Sequence, residues 1–470
     1  MNNKCLQNLR LIYIICISFF CATFAGAQTE KDALYVKEIY DFTLTNGSCY
    51  EWLSYLTTEI GGRLTGSDNA EKAVDYTHDL MVSLGLDAVN KQPCMVPKWT
   101  RGKKEVVKII NGPAGEIELK ALALGNSIGT GEKGVTAEVI EVFSLDTLET
   151  MGKKHLKDKI VFFNRPMDPT QLRTFNAYGG AVDQRVFGAT SSAPYGAKAV
   201  LVRSLTTLTD DNPHTGVNVY RDENPKIPAL AISTMAADLL SELLTKQKVE
   251  IYIENHSKNH EAVPSYNVIG EIKGSEFPDE IILVGGHLDS WDVGGGAHDD
   301  GSGCVHSLQV FETLRAMNYK PKHTLRCVMF MNEENGLGGG LEYAKVSNDK
   351  QEYHLAAIES DSGGFTPRGF SCDAEADIFA TFYRGLNEFL PILERYDLSL
   401  VKGGGGADIN PLKSQKGLLI GFRPDSQRYF DYHHTAIDQI DAVNERELKL
   451  GAAAITSLVY LIDTYGLNRE

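Results

Sequence analysis

Residues 285–303 read GGHLDSWDVGGGAHDDGSG and directly follow the apolar run Ile281–Val284. A short β-branched run bounded by acidic residues and a Gly-Gly pair predicts a buried strand of a parallel sheet. His287 stands at its C-terminal end, with Asp289 two residues on and Asp299 in the glycine-rich loop that opens the next helix. Open α/β sheets gather ligand and catalytic groups at such strand ends. A His, a nearby carboxylate and a second carboxylate on a tight loop are what a metal site needs.

Other run ends carry the same residue types. LRCVMFM, Leu325–Met331, runs into Asn332, Glu333 and Glu334; Ala356–Ile358 runs into Glu359, Ser360 and Asp361. Near the C-terminus, Tyr432-His433-His434-Thr435 is followed by Asp438. Histidines and carboxylates together suit a hard or borderline divalent cation, zinc above all. Adjacent Glu333 and Glu334 are costly in a buried site unless a cation offsets them. Neighbouring side chains diverge, so one is read as a metal ligand and the other as a general base. Each piece alone is weak: a lone His-x-Asp is ordinarily a core pair, and glycine-rich loops are commonly just turns. Their joint occurrence at successive run ends carries the reading. His298, His306 and His323 lack that context and are read as structural.

The set IGGRLTGS (Ile60–Ser67), GGHLDSWDVGGGAHDDGSG, MNEENGLGG from Met331, ESDSGG from Glu359 and DYHHT from Asp431 resembles the co-catalytic di-zinc exopeptidases, peptidase family twenty-eight. Within that family the likeness extends to its carboxypeptidase branch. The resemblance implies two Zn²⁺ ions bridged by Asp299, one held by His287 and Asp361, the other by Glu334 and His434. It implies a water activated by the cation pair and Glu333 as general base and acid. Asp289 would accept from the distal ring nitrogen of His287, as metal-bound imidazoles usually require. His434 is chosen over His433 on the family's His-Thr spacing, and Asp299 over Asp300 on its distance from Ser302.

The same resemblance implies an α/β fold, a zinc-exopeptidase three-layer α/β/α sandwich with a mixed sheet, plus an inserted β-rich protease-associated domain. The expected boundaries are 28–128 and 259–470 for the peptidase domain and 129–258 for the insertion. Helices are expected at Asp32–Leu56, after a capping box at Asp68 and Glu71, and from an Asn444/Glu447 cap to the C-terminus. Val305, Leu308, Phe311 and Leu314 give the first crossover helix its apolar face. NVIGEIKG after Tyr266 reads as an edge-type hairpin, and the Gly403–Gly406 run as a loop bordering the specificity pocket.

The N-terminus carries Lys4 and Arg10, an apolar stretch to Phe24 and small residues at Ala25–Ala27. That pattern predicts a signal peptide over residues 1–27 and an exported protein, secreted or periplasmic, with no stable membrane insertion once it is removed. The five later cysteines are an odd number without paired spacing, so mostly buried thiols are expected. A net charge of −16 argues against nucleic acid as a partner. The expected partner is a peptide substrate; homodimers are common among such proteins, although no interface follows from the residues.

The function implied is hydrolysis of dipeptides or short peptides with free termini, carboxypeptidase-like. The alternatives are an aminopeptidase, whose ligands would be the same, and a glutaminyl cyclase-like transferase, against which the intact NEEN and ESDSGG segments speak.

Overall fold

Strand Phe277–His287 lies between two parallel neighbours, His323–Phe330 and Tyr353–Glu359. Its side chains alternate between two cores. Ile282 and Val284 face one with helices Ser302–Ala316 and Glu445–Tyr465; Ile281 and Leu283 face another with Tyr343 and Ala344 of helix Gly338–Asp349. Burial on both faces is why the run is continuously apolar rather than alternating. The computed structural model describes residues 30–467, so the expected signal peptide at 1–27 lies outside the described residues.

Two eight-stranded sheets organise the described chain. The first runs in the order Ala88–Val96, Val263–Ile272, His323–Phe330, Phe277–His287, Tyr353–Glu359, Leu418–Pro424, Pro367–Asp373, Ser399–Lys402. Its four central strands are parallel and its flanks include antiparallel pairs. With helices on both faces this is the expected three-layer α/β/α sandwich with a mixed sheet. Gly303 lets the first turn of helix Ser302–Ala316 lie against the strand ends, because a Cβ there would overlap the Ser360 carbonyl oxygen. Gly303→Ala is expected to cost about 3 kcal/mol by overpacking, read as a lowered denaturant midpoint.

The second sheet takes in Val106–Gly112, Gly115–Glu118, Ala121–Ala123, Val135–Val142, Ile160–Phe163, Ala199–Arg203, Ala229–Ile232 and Glu250–Glu254. The chain leaves the first sheet after Val96 and re-enters it at Val263, so this unit is an insertion. Its start corrects the expected boundary at 128/129: Val107 and Ile109 pair with Ile253 and Ile251 and complete its core.

Two local readings also change. Strand Val263–Ile272 is not an edge hairpin: Ala88–Val96 forms the edge, and His323–Phe330 inserts between Val263–Ile272 and the next strand in sequence. The cap of helix Asp68–Ser83 is Ser67, whose hydroxyl accepts from the Ala70 amide, while Glu71 accepts from the Ser265 hydroxyl. The predicted Asn444 cap is present, accepting from the Glu447 amide. Cys49, Cys94, Cys304, Cys327 and Cys372 are free and buried. No helix among the described residues is long and apolar enough to cross a membrane.

Candidate metal centre

Parallel strands put their C-terminal ends on one edge, and that edge assembles the site. His287 ends its strand opposite Phe330, three residues before Glu333; Gly285 pairs with Glu359, two residues before Asp361. The loop from Leu288 to Gly296 returns Asp299 beneath His287. Arg63, fully buried, shapes that loop by donating to the carbonyls of Leu288, Gly295 and Gly296. Asp438 fixes its end by accepting from the amides of His298 and Asp299.

Asp299 sits between two histidines. Its Oδ1 is 3.2 Å from His287 Nε2 and its Oδ2 3.2 Å from His434 Nε2. His287 Nε2 lies 3.5 Å from Asp361, and His434 Nε2 lies 3.1 Å from Glu334. These separations are close to the edge of a tetrahedron about a cation with bonds of ~2.0–2.2 Å, roughly 3.4 Å. Asp299 Oδ2 and Glu334 Oε1 are buried without hydrogen-bond partners. Donor atoms of His287, Asp299 and Asp361, and of Asp299, His433 and His434, lie within 4.8 Å of one another. Either set could hold a metal ion.

The charge balance points the same way. Burial, with repulsion from Asp361 and Glu334, holds Glu333 well above the usual carboxylate range. Burial and Asp299 push Glu334 up to about 7. Asp361 is raised by burial and Asp299. Asp299 is held low in spite of burial, because His287 and His434 favour its charged form. Four carboxylates against two imidazoles leave a buried negative excess that divalent cations offset. The donor set therefore fits zinc.

His434 is placed better than His433, whose Nε2 is 3.7 Å from Asp299. The ring Nδ1 of His434 faces the Thr215 carbonyl at 3.3 Å, which leaves Nε2 free as a donor to metal. His434 has φ 62°, in the left-handed region. The inserted unit supports that strained backbone: the Thr215 amide donates to the His434 carbonyl, and His214 Nδ1 donates to that of His433.

Asp289 departs from expectation. His287 Nδ1 donates to the Asp289 backbone carbonyl at 2.9 Å, whereas the carboxylate is 3.9 Å away. Asp289 Oδ1 instead accepts from the amides of Asn332 and Glu333, because the turn after the strand swings the side chain toward the neighbouring strand end. It orients Glu333 through the backbone. Asp300 likewise takes a supporting place, accepting from the amides of His287 and Gly303.

Sequence reasoning missed what the insertion contributes. Tyr178 and Arg185 line a cavity of ≈ 230 Å³ with Glu333, Asp299, Asp361 and His434. Arg185 Nη2 donates to Tyr178 Oη at 2.8 Å, and Nη1 lies 3.5 Å from His434 Nδ1. Arg63 was also missed, although a lone arginine inside the glycine-rich IGGRLTGS was a signal for it.

A three-layer α/β/α fold with paired His and carboxylate donors gathered at one edge of its parallel strands fits a metal-dependent hydrolase. A model of peptidase family M28 matches residues 267–459. Carboxypeptidase Q of Bos taurus is 32% identical over 418 residues, 88% of this chain and 84% of that protein. That of Xenopus laevis is 34% identical, over 88% and 85%. The crystal structure of a peptidase M28 precursor from Shewanella amazonensis superposes with a TM-score of 0.87 at 32% identity, covering 93% of this chain and 97% of that one. A zinc aminopeptidase from Bacillus subtilis shares the fold with a TM-score of 0.62 at 21% identity, over 88% and 94%. The chain belongs to peptidase family M28.

Proposed function

We propose that the chain is an exported, zinc-dependent exopeptidase acting on dipeptides or short peptides with free ends, in the manner of carboxypeptidase Q. The observation that carries this is Asp299, whose two oxygens face two histidines, each histidine having its own second carboxylate. In this reading His287, Asp361 and Asp299 would hold one Zn²⁺, and Glu334, His434 and Asp299 would hold the other. Bound there, the cations would supply Lewis acidity, making a bound water easier to deprotonate and the scissile carbonyl easier to attack. Glu333, half-buried beside them, accepts the proton of the attacking water and delivers it to the leaving amine. Tyr178 Oη accepts from Arg185, so its own hydrogen is free to donate to the developing oxyanion. Asp289 holds the Glu333 backbone in place.

Export rests on the charged, apolar and small-residue order of residues 1–27. The inserted unit is read as a protease-associated domain that completes the site rather than a spacer, since Thr215, Tyr178 and Arg185 all come from it.

The test is a panel of free, N-blocked and C-amidated dipeptides, run on protein stripped of metal and then reconstituted with zinc. Hydrolysis is expected to vanish on stripping and return with zinc, and to be lost on C-amidated dipeptides. An aminopeptidase would require the free N-terminus and tolerate the amide. Turnover that survives complete metal removal would overturn the reading.

A further inference from the structure

A second cavity, ≈ 520 Å³, adjoins the catalytic one, with Asp361 and Phe175 lining both. Its volume lies in the range of small-molecule pockets, about 300–1,000 Å³. The Gly403–Gly406 loop forms one wall, and Glu359 ties that loop down by accepting from the amides of Ala407 and Ile409. A Cβ at Gly406 would overlap the Glu359 carboxylate, so the loop stays bare there.

Two guanidinium groups also line this cleft, Arg173 from the inserted unit and Arg423 from strand Leu418–Pro424. Neither side chain has an ion pair or hydrogen bond among the described residues, unlike the nearby Arg368 with Asp425 or Arg428 with Glu447. They also repel one another: burial and the charge of Arg173 lower the pKa of Arg423. The third cation of the cleft, Lys402, is engaged over the rings of Phe379 and Tyr383. The two walls are pinned together, since Thr174 Oγ1 donates to the Ser426 carbonyl at 2.8 Å and Phe175 stacks on Tyr429 at 5.3 Å. The arginines are thus held near each other without an ion-pair partner among the described residues, while the Glu359 carboxylate of the same cleft is taken up by the Ala407 and Ile409 amides.

We propose that this cleft is a carboxylate-binding subsite, in which Arg173 and Arg423 together clamp an anionic group of the residue on the leaving side of the scissile bond. A planar carboxylate is what paired guanidinium forks recognise best. The cleft opens from Asp361, so a residue anchored there places its amide nitrogen on the Glu333 side, where the proton is delivered. A pocket for an α-ammonium group would need the opposite charge. The inference rests on the exopeptidase reading and deepens it. The carboxylate comes either from the free C-terminus or from an acidic side chain, and one experiment separates the two.

Zinc-loaded protein is titrated calorimetrically with L-glutamate, L-glutamine and isoglutamine (the α-amide of glutamic acid), which needs no turnover. Glutamate and glutamine binding alike, with isoglutamine at least ~10-fold weaker, assigns the α-carboxylate; glutamate and isoglutamine binding alike, with glutamine weaker, assigns the side chain. Arg173→Gln, at an exposed position, and Arg423→Gln are each expected to weaken the preferred ligand ~10-fold or more, with Arg423→Lys recovering part of the loss. In dipeptide hydrolysis the same variants raise KM and leave kcat near its starting value. Equal binding of all three ligands by the unsubstituted protein, or unchanged binding by both folded glutamine variants, overturns the subsite. Zinc-dependent hydrolysis without a carboxylate preference removes the subsite alone. A carboxylate preference without hydrolysis of any peptide keeps the subsite and removes the exopeptidase reading.

Discussion

Glu333→Gln is expected to lower kcat by ~10²–10⁴-fold, the usual contribution of a positioned general acid–base, while zinc content and KM stay close to the parent's. The expectation follows from where the side chain stands. Glu333 lines the cavity beside Asp299, Asp361 and His434. Among the described residues it has no histidine nitrogen within ion-pair distance, unlike Asp299, Glu334 and Asp361. Its neighbour Glu334 reaches His434 instead, at 3.1 Å. The amide is close to isosteric and takes no proton, so binding and chemistry separate. Steady-state kinetics with metal analysis of the same preparation checks this. A variant that loses zinc along with activity would move Glu333 into the ligand set and leave the proton transfer without an owner.

Asp299→Asn is expected to damage both properties at once. The amide keeps one oxygen donor but replaces the other with a nitrogen that cannot bind a cation. One of the two histidines then faces a donor N–H where it had a carboxylate oxygen at 3.2 Å. Zinc content is expected to fall from two ions per chain to one or none, with turnover reduced ~10³-fold or more. The neighbouring Asp300→Asn is the informative control. Asp300 accepts from the His287 and Gly303 amides rather than facing a histidine ring nitrogen. Its loss is expected to lower stability more than metal content. Inductively coupled plasma analysis beside thermal unfolding separates the two outcomes.

The candidate donors His287, Glu333, Glu334 and Asp361 were legible because they closely follow apolar runs, and run ends are a local property of the sequence. The structure brings donor atoms of His287, Asp299, Glu334, Asp361 and His434 within 3.5 Å of a neighbouring donor, and Glu333 lines the same cavity. Strand order was not legible in the same way. Burial of Val268 and Ile269 reads the same whether Val263–Ile272 is an edge or an interior strand; the insertion of His323–Phe330 beside it is a long-range pairing. The start of the inserted unit was hidden for that reason too, since Val107 and Ile109 meet their partners more than a hundred residues later.

Asp289 shows a second limit. A carboxylate two residues after a ligand histidine looks like its hydrogen-bond partner, but the backbone carbonyl of the same residue takes the imidazole proton. Backbone groups are common to every residue, so they leave no mark in a sequence. The Thr215 carbonyl at His434 is another such contact. Arg63 differs: its three carbonyl contacts shape the ligand loop, and a fully buried arginine in a glycine-rich motif needs that many acceptors.

In the proposed site a pair of cations shares Asp299. Anomalous X-ray scattering at the zinc edge, from crystals of zinc-loaded protein, tests it directly. Two peaks are predicted, both in contact with Asp299, one also touching His287 and Asp361, the other Glu334 and His434. A single peak, or peaks that leave Asp299 out of reach, would mean that Asp299 bridges no cation pair.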